Sequence, residues 1–267
     1  MDRLVHATAS LYRPAGRFAW HFARSKLARD PLFSTLLATG AIPDASCLVD
    51  LGCGQGLLAT WLAEARALWM ASDTHDGWPA GWPAPPKIGT YLGIDQSRRD
   101  VARARRALPP HARAFRGDLR ELGPTMLERC DVATIFDVLQ YLAPDAQERL
   151  LTTIHASLPP WGVLLLRVGD GGATRASRRA NAVDMVVCAL RGHPRLQLHR
   201  RPIDAWVALL GRIGFAVEVL DDERAVDRAS TGFANVLLRA SRTVPATVDA
   251  HGAIDARTAS VVTNAVR

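Results

Sequence analysis

A chain of 267 residues holds one α/β domain with additions or two small domains, and 48% apolar content supports a real core. No apolar run approaches the roughly 18 residues that span a bilayer. The first residues carry Arg3, His6 and Arg13 with no apolar signal core, so a cytoplasmic location is expected. The net charge of +7, nearly all arginine, reads either as the bias of a GC-rich genome or as a surface for an acidic partner.

Residues 1–46 precede the first sheet strand and read as an N-terminal helical flap. The stretch 12–24 is dense in aromatics and bases. Phe18 and Phe22 share one helical face, and Arg17, His21 and Arg24 share another. A second helix is expected at Asp30 and Pro31, with Asp30 as N-cap and Pro31 at the first helical position.

The stretch 47–56 reads as a buried strand, a tight glycine turn and a helix start. Leu48, Val49 and Leu51 supply the strand, and Gly52, Gly54 and Gly56 let the backbone turn and approach a ligand. Such a turn is expected to leave backbone N–H groups open at the mouth of a parallel sheet. Residues 73–89 form an insertion in which Trp78, Trp82 and four prolines exclude regular structure.

Strand 90–95 ends in Asp95. Ser97 and Asp100 begin the helix 98–108 like a capping box, and Pro109 ends it. Strands 112–116, 131–136 and 163–168 follow, with a helix from Pro144 between the last two. Residues 169–200 are an arginine-rich excursion with a helix expected over 177–191. Pro202 opens a helix with Trp206, Leu209, Leu210 and Ile213 on one side. Strands 215–220 and 233–240 close the sheet, and 241–267 reads as a mostly disordered tail. Cys47, Cys53, Cys130 and Cys188 show no CxxC spacing and read as buried thiols. No metal cluster is visible, so no metal is expected.

The alternation predicts an α/β, doubly wound, Rossmann-like seven-stranded sheet, mostly parallel, with an antiparallel edge strand and the N-terminal flap added. The principal domain is expected over 47–240, with insertions at 73–89 and 169–200.

Several features in order carry a resemblance: Val49-Asp50-Leu51-Gly52-Cys53-Gly54-Gln55-Gly56, Gly93-Ile94-Asp95, Gly117-Asp118-Leu119, Phe136-Asp137-Val138-Leu139-Gln140-Tyr141, and Gly162 to Arg167. With these the chain resembles the class I S-adenosylmethionine-dependent methyltransferases. The resemblance implies S-adenosylmethionine as cofactor. It places Asp50 toward the ammonium of the methionine tail and Gly52, Cys53, Gly54, Gln55 and Gly56 along the tail and ribose. Asp95 and Gln96 fall at the ribose, Gly117, Asp118 and Leu119 at the adenine, and Phe136 near the methyl group. His21, Asp137 and Tyr141 are the candidates for a base.

A narrower similarity is to bacterial methyltransferases associated with aryl polyene and xanthomonadin-type pigment clusters. It rests on Tyr12 to Phe18, Gly81 to Pro86, Leu165 to Asp170, Arg191 to Leu196 and Phe233 to Leu238, with Gln140 standing where His is expected. It implies secondary metabolism: a small-molecule acceptor, an aryl or polyene acid, held free or on an acidic acyl carrier protein. Arg175, Arg178 and Arg179 are the residues expected to meet such a carrier. An RNA or protein methyltransferase is the competing enzymatic reading, although Phe136-Asp137-Val138-Leu139 lacks the Asp-Pro-Pro-aromatic type of signature, and nucleic acid is not the expected partner. A non-catalytic cofactor-binding scaffold and a dinucleotide dehydrogenase are the remaining alternatives; against the second, the Gly52-to-Asp95 interval is longer than the usual roughly 20 residues.

Overall fold

A computed structural model describes residues 1–71, 77–169, 198–220 and 235–243. The sheet has seven strands in the order β3-β2-β1-β4-β5-β7-β6. They are β1 (Ala45–Leu51), β2 (Ile88–Asp95), β3 (Ala112–Arg116), β4 (Val132–Phe136), β5 (Val163–Gly169), β6 (Phe215–Leu220) and β7 (Asn235–Arg242). Strands β1 to β5 pair in parallel, and β7 runs antiparallel between β5 and β6. The antiparallel pairing therefore closes one edge, with β6 outermost. Strand β7 takes in Ser241 and Arg242, the first residues of the expected tail, and Arg242 donates to the Leu158 carbonyl at 2.6 Å. The expected helix 177–191, the expected carrier-facing Arg175, Arg178 and Arg179, Cys188, the linker before β7 and the tail from residue 244 lie outside the described residues.

Seven helices of the described residues flank the sheet: α1 (Asp2–Ser10), α2 (Arg17–Arg29), α3 (Pro31–Ala38), α4 (Leu57–Met70), α5 (Arg98–Ala107), α6 (Pro144–Ser157) and α7 (Ile203–Ile213). Local chemistry sets their ends. Asp30 caps α3 by accepting from the Leu32 N–H at 3.0 Å, with Pro31 next to it. Ser97 caps α5 by accepting from the Asp100 N–H at 3.2 Å. Gly214, at φ +111, ends α7 in the left-handed conformation that glycine tolerates.

Because successive strand residues face opposite sides, the apolar residues split into two cores. Leu48, Tyr91, Val132, Val163 and Leu165 face α1 to α4, whereas Val49, Leu51, Ile135, Leu164 and Leu166 face α6 and α7. The N-terminal flap thus packs into the first core. Trp61 of α4, with no exposure, donates to the Phe33 carbonyl at 2.9 Å and meets its ring edge-on. The irregular segment 77–87 carries its own anchors. Trp78 and Trp82 pack edge to face at 5.9 Å, and Trp78 donates to the Pro83 carbonyl. The same parity rule places Asp50, Thr134 and Arg167 on the flap side of the sheet. That placement organises everything at the site.

Candidate active site

The glycine loop leaves β1 at Gly52 and enters α4 after Gly56. All three glycines have positive φ (88°, 53° and 74°). A Cβ on Gly52 would lie 2.2 Å from Val138 Cγ2, and one on Gly56 would lie 2.9 Å from Leu108 Cδ2. A Cβ on Gly54 would meet nothing within 4 Å. Two glycines are therefore needed for packing, and the third borders open space.

The loop differs from the expected array of open N–H groups. The Gly52 and Cys53 N–H groups both donate to the Ile94 carbonyl, at 2.7 and 3.1 Å. The Gly56 N–H donates to the Cys53 carbonyl, and the Gly54 N–H donates to Asp95 Oδ2 at 2.9 Å. The loop is folded over the end of β2 rather than held open for a phosphate. Cys53 is turned inward against Gly93, and burial pushes its thiol up. Gln55 is also buried, and its carbonyl accepts from the Tyr12 hydroxyl at 3.0 Å. The Cys53 side chain therefore serves the fold, and Gln55 contributes through its backbone, its own side-chain oxygen being buried without a hydrogen-bond partner among the described residues.

Asp50 lies beneath the loop at 4% exposure. The register pairs it with Thr134 on β4 and places Tyr91 on β2 within reach. Thr134 donates to Oδ1 at 2.8 Å and Tyr91 to Oδ2 at 2.5 Å. Burial pushes the Asp50 carboxyl up to about 6, against the two hydroxyl bonds that favour its ionised form. A buried anion held by neutral donors is a site that a cation would stabilise.

Asp95, at the end of β2, accepts from the Gly54 N–H and, at 2.7 Å, from the Ser97 N–H. Gln96 is exposed, and its carbonyl accepts from Arg116 Nε. Gly117 sits tight against Ile94, and Leu119 is buried just beyond it. Asp118 is gripped by Arg120, whose Nε and Nη2 donate to its carboxylate, and these bonds hold the carboxyl below the usual range.

The ends of β4 and β5 meet the flap. Arg167, the one charged residue of an otherwise apolar strand, is 6% exposed. Its Nε donates to Asp137 Oδ1 at 2.9 Å and its Nη2 to Asp137 Oδ2. Its Nη1 and Nη2 donate to the two oxygens of Asp30 at 2.5 and 2.8 Å. Lys26 lies 2.6 Å from Asp30 and 3.8 Å from Asp137. Burial alone would raise the Asp30 carboxyl, but Arg167 and Lys26 hold it well below the usual range. Asp137 has φ +61, a strained conformation for an aspartate, and the Gln140 amide donates to its carbonyl at 3.0 Å. Two cations and two anions thus tie the α2–α3 corner to the sheet.

The base candidates fare unevenly. Asp137 is brought to the site, but both oxygens accept from Arg167, so it anchors rather than stands open. His21 is not brought there. It is exposed, its ring tilted against Trp20 with centres 4.5 Å apart, and lies opposite the buried edge Ala19–Ala23 of α2, because two residues along a helix rotate about 200°. Tyr141 is half-buried in the 3₁₀ turn Leu139–Tyr141, and Phe136 is half-buried toward the flap. Arg167 reads in sequence as a strand-end residue for either a substrate or a salt bridge, and the structure gives it the salt bridge; the sequence reading missed its partner Asp30 and the Tyr91–Asp50–Thr134 group. Gln147 was missed as well: it is fully buried, and its amide donates to the Leu139, Leu142 and His199 carbonyls, pinning the chain near 199 to this turn.

A model of the methyltransferase domain matches residues 19–220. The chain belongs to the methyltransferase-domain family. It is an S-adenosylmethionine-dependent methyltransferase. No curated protein matches it significantly. Among solved structures, it resembles an O-methyltransferase family protein from Burkholderia thailandensis (19% identity, TM-score 0.57), covering 85% of this chain and 59% of that one. It also resembles an S-adenosylmethionine-dependent methyltransferase from Mesorhizobium loti (22%, TM-score 0.54, 77% of this chain and 95% of that one). A third likeness is to magnesium protoporphyrin IX methyltransferase from Synechocystis PCC 6803, solved with bound SAH (16%, TM-score 0.51, 88% and 94%). At these identities the likenesses speak for the fold. The chemistry of the glycine loop, Asp50 and Asp95 fits a cationic cofactor: Gly54 borders open space, and the buried Asp50 carboxylate below it is held only by neutral hydroxyl donors.

Proposed function

We propose that this methyltransferase acts on a small acidic organic molecule, an aryl or polyene acid of secondary metabolism, presented free or on an acidic carrier protein and held under the N-terminal flap. The observation that carries the proposal is the Lys26–Asp30–Arg167–Asp137 cluster, which fastens the flap across the ends of β4 and β5, where the acceptor would lie. Tyr12 fastens it a second time at Gln55. A roof tied down at two points suits an acceptor that fits beneath it. It suits an RNA duplex or a folded protein substrate poorly.

The cofactor supplies an electrophilic methyl group on a sulfonium. Asp50 would attract the ammonium of the methionine tail. Asp95 would accept from the ribose hydroxyls while keeping the loop folded, since each carboxylate oxygen accepts more than one hydrogen bond. Asp118 would accept from the adenine amino group, with Leu119 against the ring. Phe136 and the flap would exclude water beside the acceptor, and holding it in line accounts for most of the acceleration. Asp137 is occupied by Arg167 and His21 faces away. An acceptor that ionises readily, such as a carboxylate, an acidic enol or a phenol, makes the least demand on a base.

The test is methyl transfer from labelled S-adenosylmethionine to a panel of hydroxyaryl and polyene acids, beside total RNA and bulk protein. Label is expected in the small-molecule fraction. Label confined to RNA or protein would overturn the proposal.

A further inference from the structure

A second surface lies beside the mouth of the site. Helix α5 carries five arginines against one acid, Asp100, and residues 13–29 carry no acid at all. Arg98 and Arg99 occupy the first turn of α5, where the helix dipole is positive and disfavours cations. Their placement opposes local stability, and an external anion would relieve it. Arg99, Arg103 and Arg106 recur at i, i+4 and i+7, on one side of the helix. Arg103 lies 4.5 Å over the Phe18 ring while it is held by Asp100 at 3.0 Å. Phe18 is 62% exposed and stacks on Phe22 with ring centres 6.2 Å apart. The Arg13–Ala15 turn packs against α5, which brings the exposed Arg13 and Arg17 alongside. An exposed aromatic thus lies under one guanidinium on a face whose other arginines, Arg99 and Arg106, have no ion pair with an acid among the described residues.

We propose that this α2–α5 face docks an acidic helical protein, the carrier that presents the acceptor. The inference rests on the carrier-bound form of the function above and supplies its docking surface. Three features favour a protein. A central aromatic with an arginine rim is the anatomy of a protein–protein anchor. Arg103, already paired with Asp100, serves as a flat platform over Phe18 rather than as a phosphate clamp. Phe18 also stands out at 62% exposure on this face, whereas single-stranded nucleic acid is tracked along a positive groove. Position supports it too. Helix α5 begins three positions after Asp95, and α2 ends one residue before Asp30 of the ion cluster, so both helices of this face lead directly to residues of the site.

The test uses the full chain and a purified phosphopantetheinylated acyl carrier protein as probe, with binding followed by calorimetry at low and raised salt. The wild type is expected to bind, and salt to weaken the binding. The double reversal Arg99→Glu/Arg106→Glu is expected to weaken it about tenfold or more, and Phe18→Ser about tenfold. Reversal of the exposed Arg212 on α7, away from this face, is expected to change nothing. S-adenosylmethionine affinity and turnover of free acids are expected to stay as in the wild type in all variants. Absent carrier binding by the wild type, or binding indifferent to the α2–α5 variants, overturns the proposal. So does a single-stranded RNA that binds more tightly than the carrier and is lost with the same reversals. Carrier binding without methylation of any small acid would leave the docking face standing and overturn the function proposed above, so the two failures are distinct.

Discussion

Replacing Arg167 with Met tests the ion cluster directly. The side chain keeps its volume and loses four hydrogen bonds to two carboxylates. Asp30, at 10% side-chain exposure, and Asp137, at 28%, are then left facing each other with only Lys26 to balance them. Breaking a buried pair by removing one partner costs about 3–5 kcal/mol, a large part of the roughly 5–15 kcal/mol that holds a domain together. Urea unfolding at pH 7, followed by tryptophan fluorescence, should show a loss of that size. Asp30→Asn guards against outright unfolding of the first variant. It leaves Arg167 on Asp137 and should cost about 2 kcal/mol, the value of a hydrogen bond to a charged group. The Asp30 carboxyl is held below its unfolded value, so its contribution is full above about pH 4 and is lost as pH falls toward the folded value. The gap between the wild type and Asp30→Asn should therefore close in acid. An Arg167→Met loss under about 1 kcal/mol, within the range of an exposed ion pair, would mean that the flap is not fastened in solution.

Two other predictions concern the cofactor. With Asp50 pushed up to about 6, an ammonium arriving beside it favours its ionised form and binding releases a proton. S-adenosylmethionine affinity should then fall as pH drops through about 6 and level off above it, and Asp50→Asn should abolish the dependence; a flat wild-type profile in calorimetry would separate Asp50 from the ammonium. The glycines should divide by function. Gly52→Ala meets Val138 and should lower the melting midpoint strongly. Gly54→Ala meets no protein atom within 4 Å and should keep most of its stability yet lose the rise in midpoint on adding S-adenosylmethionine; a full rise would mean that the cofactor does not lie against Gly54.

The β-α alternation, the glycine loop and the acids at the ends of β1 and β2 and just after β3 were legible in the sequence because each is local. A strand reads by its apolar run, a cap by two or three neighbouring residues, and a cofactor motif by contiguous spacing. The helix starts at Pro31 and Arg98 matched expectation because Asp30 and Ser97 cap within their own turns. His21 was legible as a reactive residue type, but not its direction, which depends on which edge of α2 the core takes.

Pairings far apart in the chain needed the tertiary structure. Asp50 finds Tyr91 and Thr134 through sheet register alone. Arg167 finds Asp30 across 137 positions because strand parity turns it toward the flap. Asp30 reads in sequence only as a helix cap, and the fold gives the same carboxylate a second partner. The sequence by itself determined the chemistry of methyl transfer from S-adenosylmethionine, since that chemistry is carried by short motifs. Only the tertiary structure decided how the flap closes over the strand ends, because that closure is made by side chains with no sequence proximity, brought together by the alternation of strand faces and the burial of one arginine.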